Sequence, residues 1–263
     1  MSIIIWDGTL ACQVENRHAQ DMAKGEFLSH WGSDGLKPYQ RYSLAGGNDY
    51  TAENVSATDR IPSVKPDRVA AELINMNIRM HAEKPPNDGH RRAILSPEAT
   101  HVGFGMAVSG NSVRLAELFV ARYAQIEPVP REIKPGAKLV VNGKLINRDH
   151  IFQHADVFFE PLPASSRSLE KAGHQYSLPD EFVTVLPVLP PRMRYPDGST
   201  GTIDVGSHGQ FRVPITLPRN KTGIYTVVIW IRKEHKEKAF PITEICLKAY
   251  EAPALKQVPR FSV

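Results

Sequence analysis

The sequence predicts an α+β protein in which a domain of mixed helices and strands is followed by an all-β domain. Three observations support this prediction. The 21 prolines are unevenly distributed, with six in residues 1–126 and fifteen in residues 127–263. The charge balance changes at the same place, from 13 basic and 14 acidic residues to 19 basic and 14 acidic residues. Apolar residues at helical spacing occur in the first part, whereas the second part has short β-rich runs between turn residues.

We therefore predict a first domain over residues 1–126, a linker over 127–134 and a β-sandwich domain over 135–263. A Pro-x-Pro step at Glu127-Pro128-Val129-Pro130 resists both helix and central strand, which places the linker there. The net charge of +4 is too small to indicate nucleic acid as a partner. No run of about 18 apolar residues is present, so we expect no membrane span. Two cysteines are too few for a disulfide framework.

Two helices are predicted in the first domain from apolar side chains at steps of three and four residues. The first covers about residues 9–24, where Asp7 or Thr9 can cap its start and Gly25 can end it. The second begins at Pro66-Asp67, because proline suits the first helical turn, and Pro85-Pro86 must end it. The expected buried faces are Leu10, Val14, His18 and Met22 in the first helix, and Val69, Leu73, Met76 and Met80 in the second.

A short helix and an antiparallel hairpin are predicted to follow. Asn87 or Asp88 can cap the short helix, which covers Gly89–Leu95. The hairpin consists of two strand-like runs joined by a Gly-Asn pair, which is a signal for a tight turn. These runs are Val102–Ser109 and Ser112–Tyr123, joined at Gly110-Asn111.

The second domain is predicted to be a β-sandwich of the immunoglobulin-like type. Six β-rich segments are separated by turn pairs such as Asn142-Gly143, Asp197-Gly198 and Thr222-Gly223. Because the domain contains no candidate active site, we expect it to present a face to a protein partner or another surface. The predicted strands are Lys138–Val141, Ile151–Phe159, Phe182–Leu186, Gln210–Leu217, Ile224–Ile231 and Ile242–Ala249.

The candidate functional residues are His and acidic side chains near turns and helix ends of the first domain. Any one of them is more often an ordinary surface or core residue than a functional one. Six motifs taken in order, however, resemble the CAP or SCP superfamily (cysteine-rich secretory protein, antigen 5 and pathogenesis-related 1) in its bacterial form, over about residues 6–123. They are Trp6-Asp7 with Leu10, His18-Ala19-Gln20-Asp21-Met22, Phe27-Leu28-Ser29-His30, Ala52-Glu53-Asn54-Val55, Gly89-His90-Arg91-Arg92-Ala93-Ile94-Leu95 and Thr100-His101-Val102-Gly103-Phe104-Gly105.

This resemblance implies an α-β-α sandwich with a cleft that holds two His and two acidic side chains. By motif, these are His30, Glu53, His90 and Glu83, with Asp88 as an alternative to Glu83 because it is closer to His90 in sequence. Neutral imidazoles bind zinc and related divalent ions, so His30 and His90 are the candidate metal ligands. The carboxylates would hold the other imidazole N–H or a bound water. A hydrogen-bonded His/Glu network without a metal is the open alternative.

Three functions are compatible with such a cleft. We favour a binding module for a small apolar or peptide-like ligand, in which zinc or another divalent metal is an optional cofactor. The second candidate is a metal-dependent, peptidase-like hydrolase in which Glu53 or Glu83 activates water. The third is a structural scaffold whose His and Glu side chains only close the cleft. No Gly-x-Ser-x-Gly motif supports a serine nucleophile.

Secreted members of the family imply an extracellular or periplasmic location, and a cytoplasmic location is the alternative. Family members carry a further helix before the segment matched by Trp6-Asp7. The residues Met1-Ser2-Ile3-Ile4-Ile5 are too few for that helix or for a signal peptide. We therefore expect that the sequence begins too late, and that the loss of the helix leaves an apolar groove facing water.

Overall fold

The computed structural model describes residues 4–163 and 175–250. The first domain consists of β1 (Ile5–Trp6), α1 (Leu10–Lys24), α2 (Pro38–Leu44), β2 (Tyr50–Thr58), α3 (Pro66–His81), α4 (Gly89–Ile94), β3 (His101–Ser109) and β4 (Ser112–Ala121). Its strands form one sheet in the order β1-β3-β4-β2. β1 pairs in parallel with β3, and the other pairs are antiparallel. β2 is therefore an outer strand of this sheet.

Helices cover both faces of this sheet. Successive side chains of a strand point to opposite faces, and β4 shows this alternation clearly. Leu118 and Val120 pack against α1, whereas Val113 and Leu115 pack against Met76 of α3. The first domain is thus an α-β-α sandwich, as the family resemblance implied.

Two glycines allow α1 to lie directly on β3. A Cβ atom at Gly105 would lie 2.0 Å from the backbone carbonyl carbon of Glu15, and one at Gly103 would lie 2.4 Å from the Cβ of Ala11. Only glycine therefore permits this distance between helix and strand. The close approach fixes the position of Glu15, which belongs to the site described below.

The predicted helices and hairpin of the first domain are confirmed, with ends that agree within two residues except that α3 ends at His81, before the expected stop at Pro85-Pro86. On α3, Val69, Met76 and Met80 are buried, as expected. α2 and β2 were not predicted from the sequence. α2 has only seven residues and therefore little periodic signal. β2 carries the polar Glu53 and Asn54 at its centre, both of them buried, so it lacks the alternation of a half-exposed strand.

The second domain is built from ten strands in the described residues. They are β5 (Ala124–Ile126), β6 (Glu132–Ile133), β7 (Lys138–Leu145), β8 (His150–Glu160), β9 (Glu181–Val185), β10 (Asp204–Val205), β11 (Gln210–Thr216), β12 (Gly223–Lys233), β13 (Ala239–Pro241) and β14 (Ile245–Ala249). One sheet has the order β10-β11-β7-β5, and the other has the order β6-β14-β12-β8-β9 with β13 beside β12. Both sheets contribute to one apolar cluster, for example through Val141 and Phe211 on one side and Val157 and Leu247 on the other. The domain is therefore a β-sandwich.

Two predictions for this domain are wrong. Asn142-Gly143 is not a turn but lies inside β7. A glycine stands there because neighbouring atoms occupy the space of a side chain. A Cβ there would lie 2.5 Å from the ring of Phe211 and 2.8 Å from the Gln125 carbonyl oxygen. Residues 242–249 are not one strand, since β14 begins only at Ile245 and the short β13 precedes it.

The segment 127–134, for which we predicted a linker, connects the two sheets of the sandwich. β5 precedes it in one sheet, and β6 within it pairs in parallel with β14 of the other. The Arg131 guanidinium donates hydrogen bonds to the Gly47 carbonyl at 2.8 Å and to Asn48 Oδ1 at 2.6 Å. These contacts attach the segment to the first domain as well.

Buried hydrogen bonds join the two domains. The Ser43 hydroxyl accepts the Cys246 N–H at 2.7 Å. The carboxyl group of Glu244 accepts hydrogen bonds from the backbone N–H and the hydroxyl of Thr51, at 2.8 and 2.9 Å. Burial raises the pKa of Glu244 to about 8. Because such buried polar contacts have strict geometry, they hold α2 and β2 in a fixed position against the sandwich.

An apolar groove of about 670 Å³ lies between α3 and β3. Trp6, Ile74, Ile78, Phe104 and Met106 line it, and the side chain of Trp6 is 70% exposed. In the two described ranges, no helix combines the length and apolar character needed to cross a membrane.

Candidate functional site

His30 and Glu53 form the first pair of the site. His30 lies in the loop after α1, and His18 of that helix holds the loop, because its Nε2 atom is 2.8 Å from the Ser29 carbonyl oxygen. The His30 Nδ1 atom is 2.8 Å from Oε2 of Glu53 on β2. The Glu53 side chain is fully buried and that of His30 is 15% exposed. This pair therefore lies deep in the domain.

Arg41 of α2 completes the surroundings of this pair. Its guanidinium contacts the second carboxylate oxygen of Glu53. It also donates to the carbonyl oxygens of His30 and Leu36, at 2.7 and 2.9 Å. Burial and the positive charge of Arg41 lower the pKa of His30 to about 4. His30 is therefore neutral at physiological pH, which is the form that can bind a metal ion.

Glu15 of α1 lies fully buried beside Glu53. Burial raises the pKa of Glu15 well above its ordinary range, and the negative charge of Glu53 raises it further. Burial also raises the pKa of Glu53, but the guanidinium of Arg41 opposes that rise. Of the two carboxyl groups, Glu15 is therefore the one that favours its protonated form, because Arg41 stabilises the charge on Glu53.

His90 and Glu83 form the second pair. The His90 Nδ1 atom is 2.5 Å from Oε1 of Glu83, and the His90 backbone N–H donates to Oε2 at 3.1 Å. Asp88, the alternative acidic residue, instead pairs with Arg92, with Oδ1 and Nε 3.2 Å apart. The side chains of His90 and Glu83 are 35% and 24% exposed, so this pair is the more accessible of the two.

Both pairs contact β2, and they do so at two successive residues of that strand. Glu53 contacts His30, and the side-chain amide of the next residue, Asn54, donates to the His90 carbonyl at 3.2 Å. Glu117 of β4 holds the same amide at 3.3 Å and accepts a hydrogen bond from Asn77 of α3 at 2.7 Å. In residues 4–163 and 175–250, no three His, Cys, Asp or Glu side chains are arranged to hold a metal ion.

A comparison with known families identifies the first domain. The CAP family model, described as the cysteine-rich secretory protein family, matches residues 1–123. Residues 1–123 are a CAP domain. The domain contains both His/Glu pairs, whereas the β-sandwich lies almost wholly outside the match.

The other comparisons add little to this assignment. A crystal structure of a chitin binding domain from Burkholderia pseudomallei is similar at 15% sequence identity, with a TM-score of 0.27. The similarity covers 46% of this chain and 57% of that chain, so it spans little more than half of that protein. No curated protein matches the sequence.

Three residues of the site were missed by the sequence analysis: Glu15, Arg41 and Tyr176. Glu15 had a local signal, since it lies four residues from both Ala11 and Ala19 on the buried face of α1. Arg41 and Tyr176 had no local signal in the sequence, because only the tertiary structure brings them next to His30 and Glu53. Tyr176 belongs to the second domain, and its ring lies 4.9 Å from that of His30.

Proposed function

We propose that the CAP domain is a ligand-binding module whose cleft is formed by the pairs His30–Glu53 and His90–Glu83. The ligand is a small apolar or peptide-like molecule. One observation supports this proposal above others: a carboxylate engages Nδ1 of each imidazole. Nε2 is then the atom that each ring offers to a ligand. The β-sandwich, which we propose to be immunoglobulin-like, serves as the interaction domain for a protein or surface partner.

The donor set fits zinc or another divalent metal, as a weak site. Both imidazoles are oriented by a carboxylate on the opposite nitrogen, as metal-bound histidines usually are. His30 is neutral, with a pKa near 4, so no proton competes with a metal there. The positive charge of Arg41 beside Glu53 opposes a further cation. His30 and His90 would hold the ion and water would complete its coordination. A metal bound there would polarise a ligand oxygen.

Isothermal titration with Zn²⁺ tests the metal part of the proposal. We expect wild type to bind one ion, with a dissociation constant well above the nanomolar range because thiolate ligands are absent. His30→Ala and His90→Ala should each weaken binding by about tenfold or more. His235→Ala is the matched control, since His235 is exposed on the turn after β12. Binding that is unchanged in both cleft variants would assign the zinc to another place.

The second candidate function is a peptidase-like, metal-dependent hydrolase. It is favoured by the raised pKa of Glu53, because a carboxyl group that titrates closer to neutral pH is a better general base. Glu83 is the alternative base and is the more accessible of the two. If the protein hydrolyses a peptide substrate, Glu53→Gln and His90→Ala should each lower kcat by roughly 10²-fold or more. Equal turnover in wild type and both variants would assign the activity to a contaminant.

We also propose that the protein acts outside the cytoplasm of a bacterium, in the extracellular or periplasmic space. The secretory character of the matching family supports this location. Fractionation of bacterial cells expressing the native gene would test it. Recovery of the protein with cytoplasmic markers only would favour the cytoplasmic alternative.

A further inference from the structure

A segment of the second domain lies against His30 and Glu53 of the CAP domain. It covers residues 175–178 and continues into β9 at Glu181. We propose that this segment occupies the cleft as an internal ligand. The ligand class of the cleft is then an extended peptide with an aromatic side chain. This inference rests on the proposed binding function and deepens it.

Tyr176 makes the central contacts of the segment. The backbone N–H of Glu53 donates a hydrogen bond to the Tyr176 hydroxyl oxygen at 2.9 Å. The Tyr176 ring meets the His30 ring edge to face, with centroids 4.9 Å apart and an angle of 61°. It also lies 6.4 Å from the ring of Tyr39. One aromatic side chain therefore contacts both members of the buried His/Glu pair.

The residues on either side of Tyr176 are held by the first domain as well. The Lys37 ammonium donates to the Ser177 carbonyl oxygen at 3.1 Å. Leu178 packs against a cluster that contains Tyr39 of α2 together with Ile224 and Cys246 of the sandwich. In the other direction, the Gln175 side-chain nitrogen lies 3.8 Å from the position that a Cβ on Gly89 would occupy. The segment thus runs from α2 towards the start of α4, next to His90.

The manner in which the segment is held is typical of a bound peptide. Among the described residues, no backbone ladder joins residues 175–180 to the sandwich. Its hydrogen bonds run instead to Lys37 and to the Glu53 backbone of the first domain. Glu53 lies on the outer strand of the sheet, where an N–H without a neighbouring strand needs another partner. A hydroxyl from a peptide side chain supplies that partner.

An external peptide must compete with this internal ligand. A tethered segment acts at an effective concentration of about 1 mM or higher. It therefore outcompetes external peptides that bind weakly. The apparent affinity of wild type for a peptide is lowered by the fraction of molecules in which the cleft is open. Removing the Tyr176 side chain should therefore reveal a binding site that wild type conceals.

The test uses the full chain and a synthetic peptide, acetyl-Gln-Tyr-Ser-Leu-amide, which copies the segment. We expect the Tyr176→Ala variant to bind this peptide at least about tenfold more tightly than wild type. NMR shifts of the His30 ring should report the binding. A peptide with alanine in place of tyrosine should not bind. Leu162→Ala is the matched control, because it removes an exposed apolar side chain elsewhere in the connection between β8 and β9, and it should behave as wild type.

Three results would overturn the inference. These are equal affinity in wild type and Tyr176→Ala, equal binding of the alanine peptide, or no binding to the variant up to about 5 mM. If Tyr176→Ala does not fold, Tyr176→Phe replaces it. Phe keeps the ring contact and loses the hydrogen bond to Glu53, so it should bind more tightly than wild type by a smaller factor, and no gain would be a refutation. Zinc binding through His30 and His90 without any gain in peptide binding would overturn this inference and leave the proposed function standing.

Discussion

Replacing Glu244 by Gln should stabilise the protein in a manner that depends on pH. The Glu244 carboxyl is buried at the domain interface and accepts two hydrogen bonds from Thr51. Burial raises its pKa from 4.5 to about 8. Between these values the folded protein keeps a proton that the unfolded chain releases. The free energy of unfolding must therefore fall as the pH rises through this window, since the folded state binds more protons.

The size of the effect follows from the width of the window. One pH unit corresponds to about 1.4 kcal/mol, so the stability lost between pH 4.5 and 8 is at most about 5 kcal/mol. Gln has the shape and hydrogen-bonding groups of the protonated acid and does not titrate. Glu244→Gln should match wild type near pH 4.5 and exceed it by about 3–5 kcal/mol near pH 8.

Urea denaturation of both proteins at several pH values is the appropriate assay. Other titrating groups are common to both proteins, so they cancel in the difference between the two unfolding free energies. Glu234→Gln is the matched control, because Glu234 is exposed on the turn after β12 and its replacement should leave the difference near zero. A Glu244→Gln effect that is constant with pH would refute the reasoning, as would a variant less stable than wild type near pH 8.

Three further predictions concern other parts of the molecule. Gly105→Ala should lower the free energy of unfolding by about 3 kcal/mol or more in denaturant titrations, because α1 occupies the space of the new Cβ. Gly206→Ala is the control and should have little effect. In an NMR titration His30 should stay neutral down to about pH 5, since burial and Arg41 lower its pKa to about 4, and Arg41→Met should raise that pKa. Ser43→Ala leaves a buried backbone N–H of β14 without its acceptor, which should lower the melting temperature and cost about 1–3 kcal/mol.

The sequence predicted those elements of the fold that have local signals. α3 could be recognised because Val69, Met76 and Met80 repeat at helical spacing over about three turns. β2 could not, because its polar centre is buried by helices and by the second domain rather than exposed on one face. Gly143 was misread for a similar reason, since the close approach of the Phe211 ring cannot be read from neighbouring residues.

The candidate site was predicted in part for the same physical reason. Family motifs supplied His30 and Glu53, and the structure places their side chains in contact. Arg41 decides the charge state of that pair, and Tyr176 covers it, but both arrive from elements that are distant in sequence. A buried charge depends on all of its neighbours in space, so its surroundings become known only with the tertiary structure.

The outer strand of the CAP sheet has a consequence for association between copies of this chain. β2 carries outward N–H groups that a strand from another molecule could pair with. Here the Thr51 N–H is taken by the Glu244 carboxyl, and the Glu53 N–H is taken by the Tyr176 hydroxyl. Side chains of the sandwich, together with its backbone at Ile242, thus block an edge that many proteins protect with a bulge, a lysine or a proline. A CAP domain separated from its sandwich would expose this edge and would be prone to edge-to-edge aggregation.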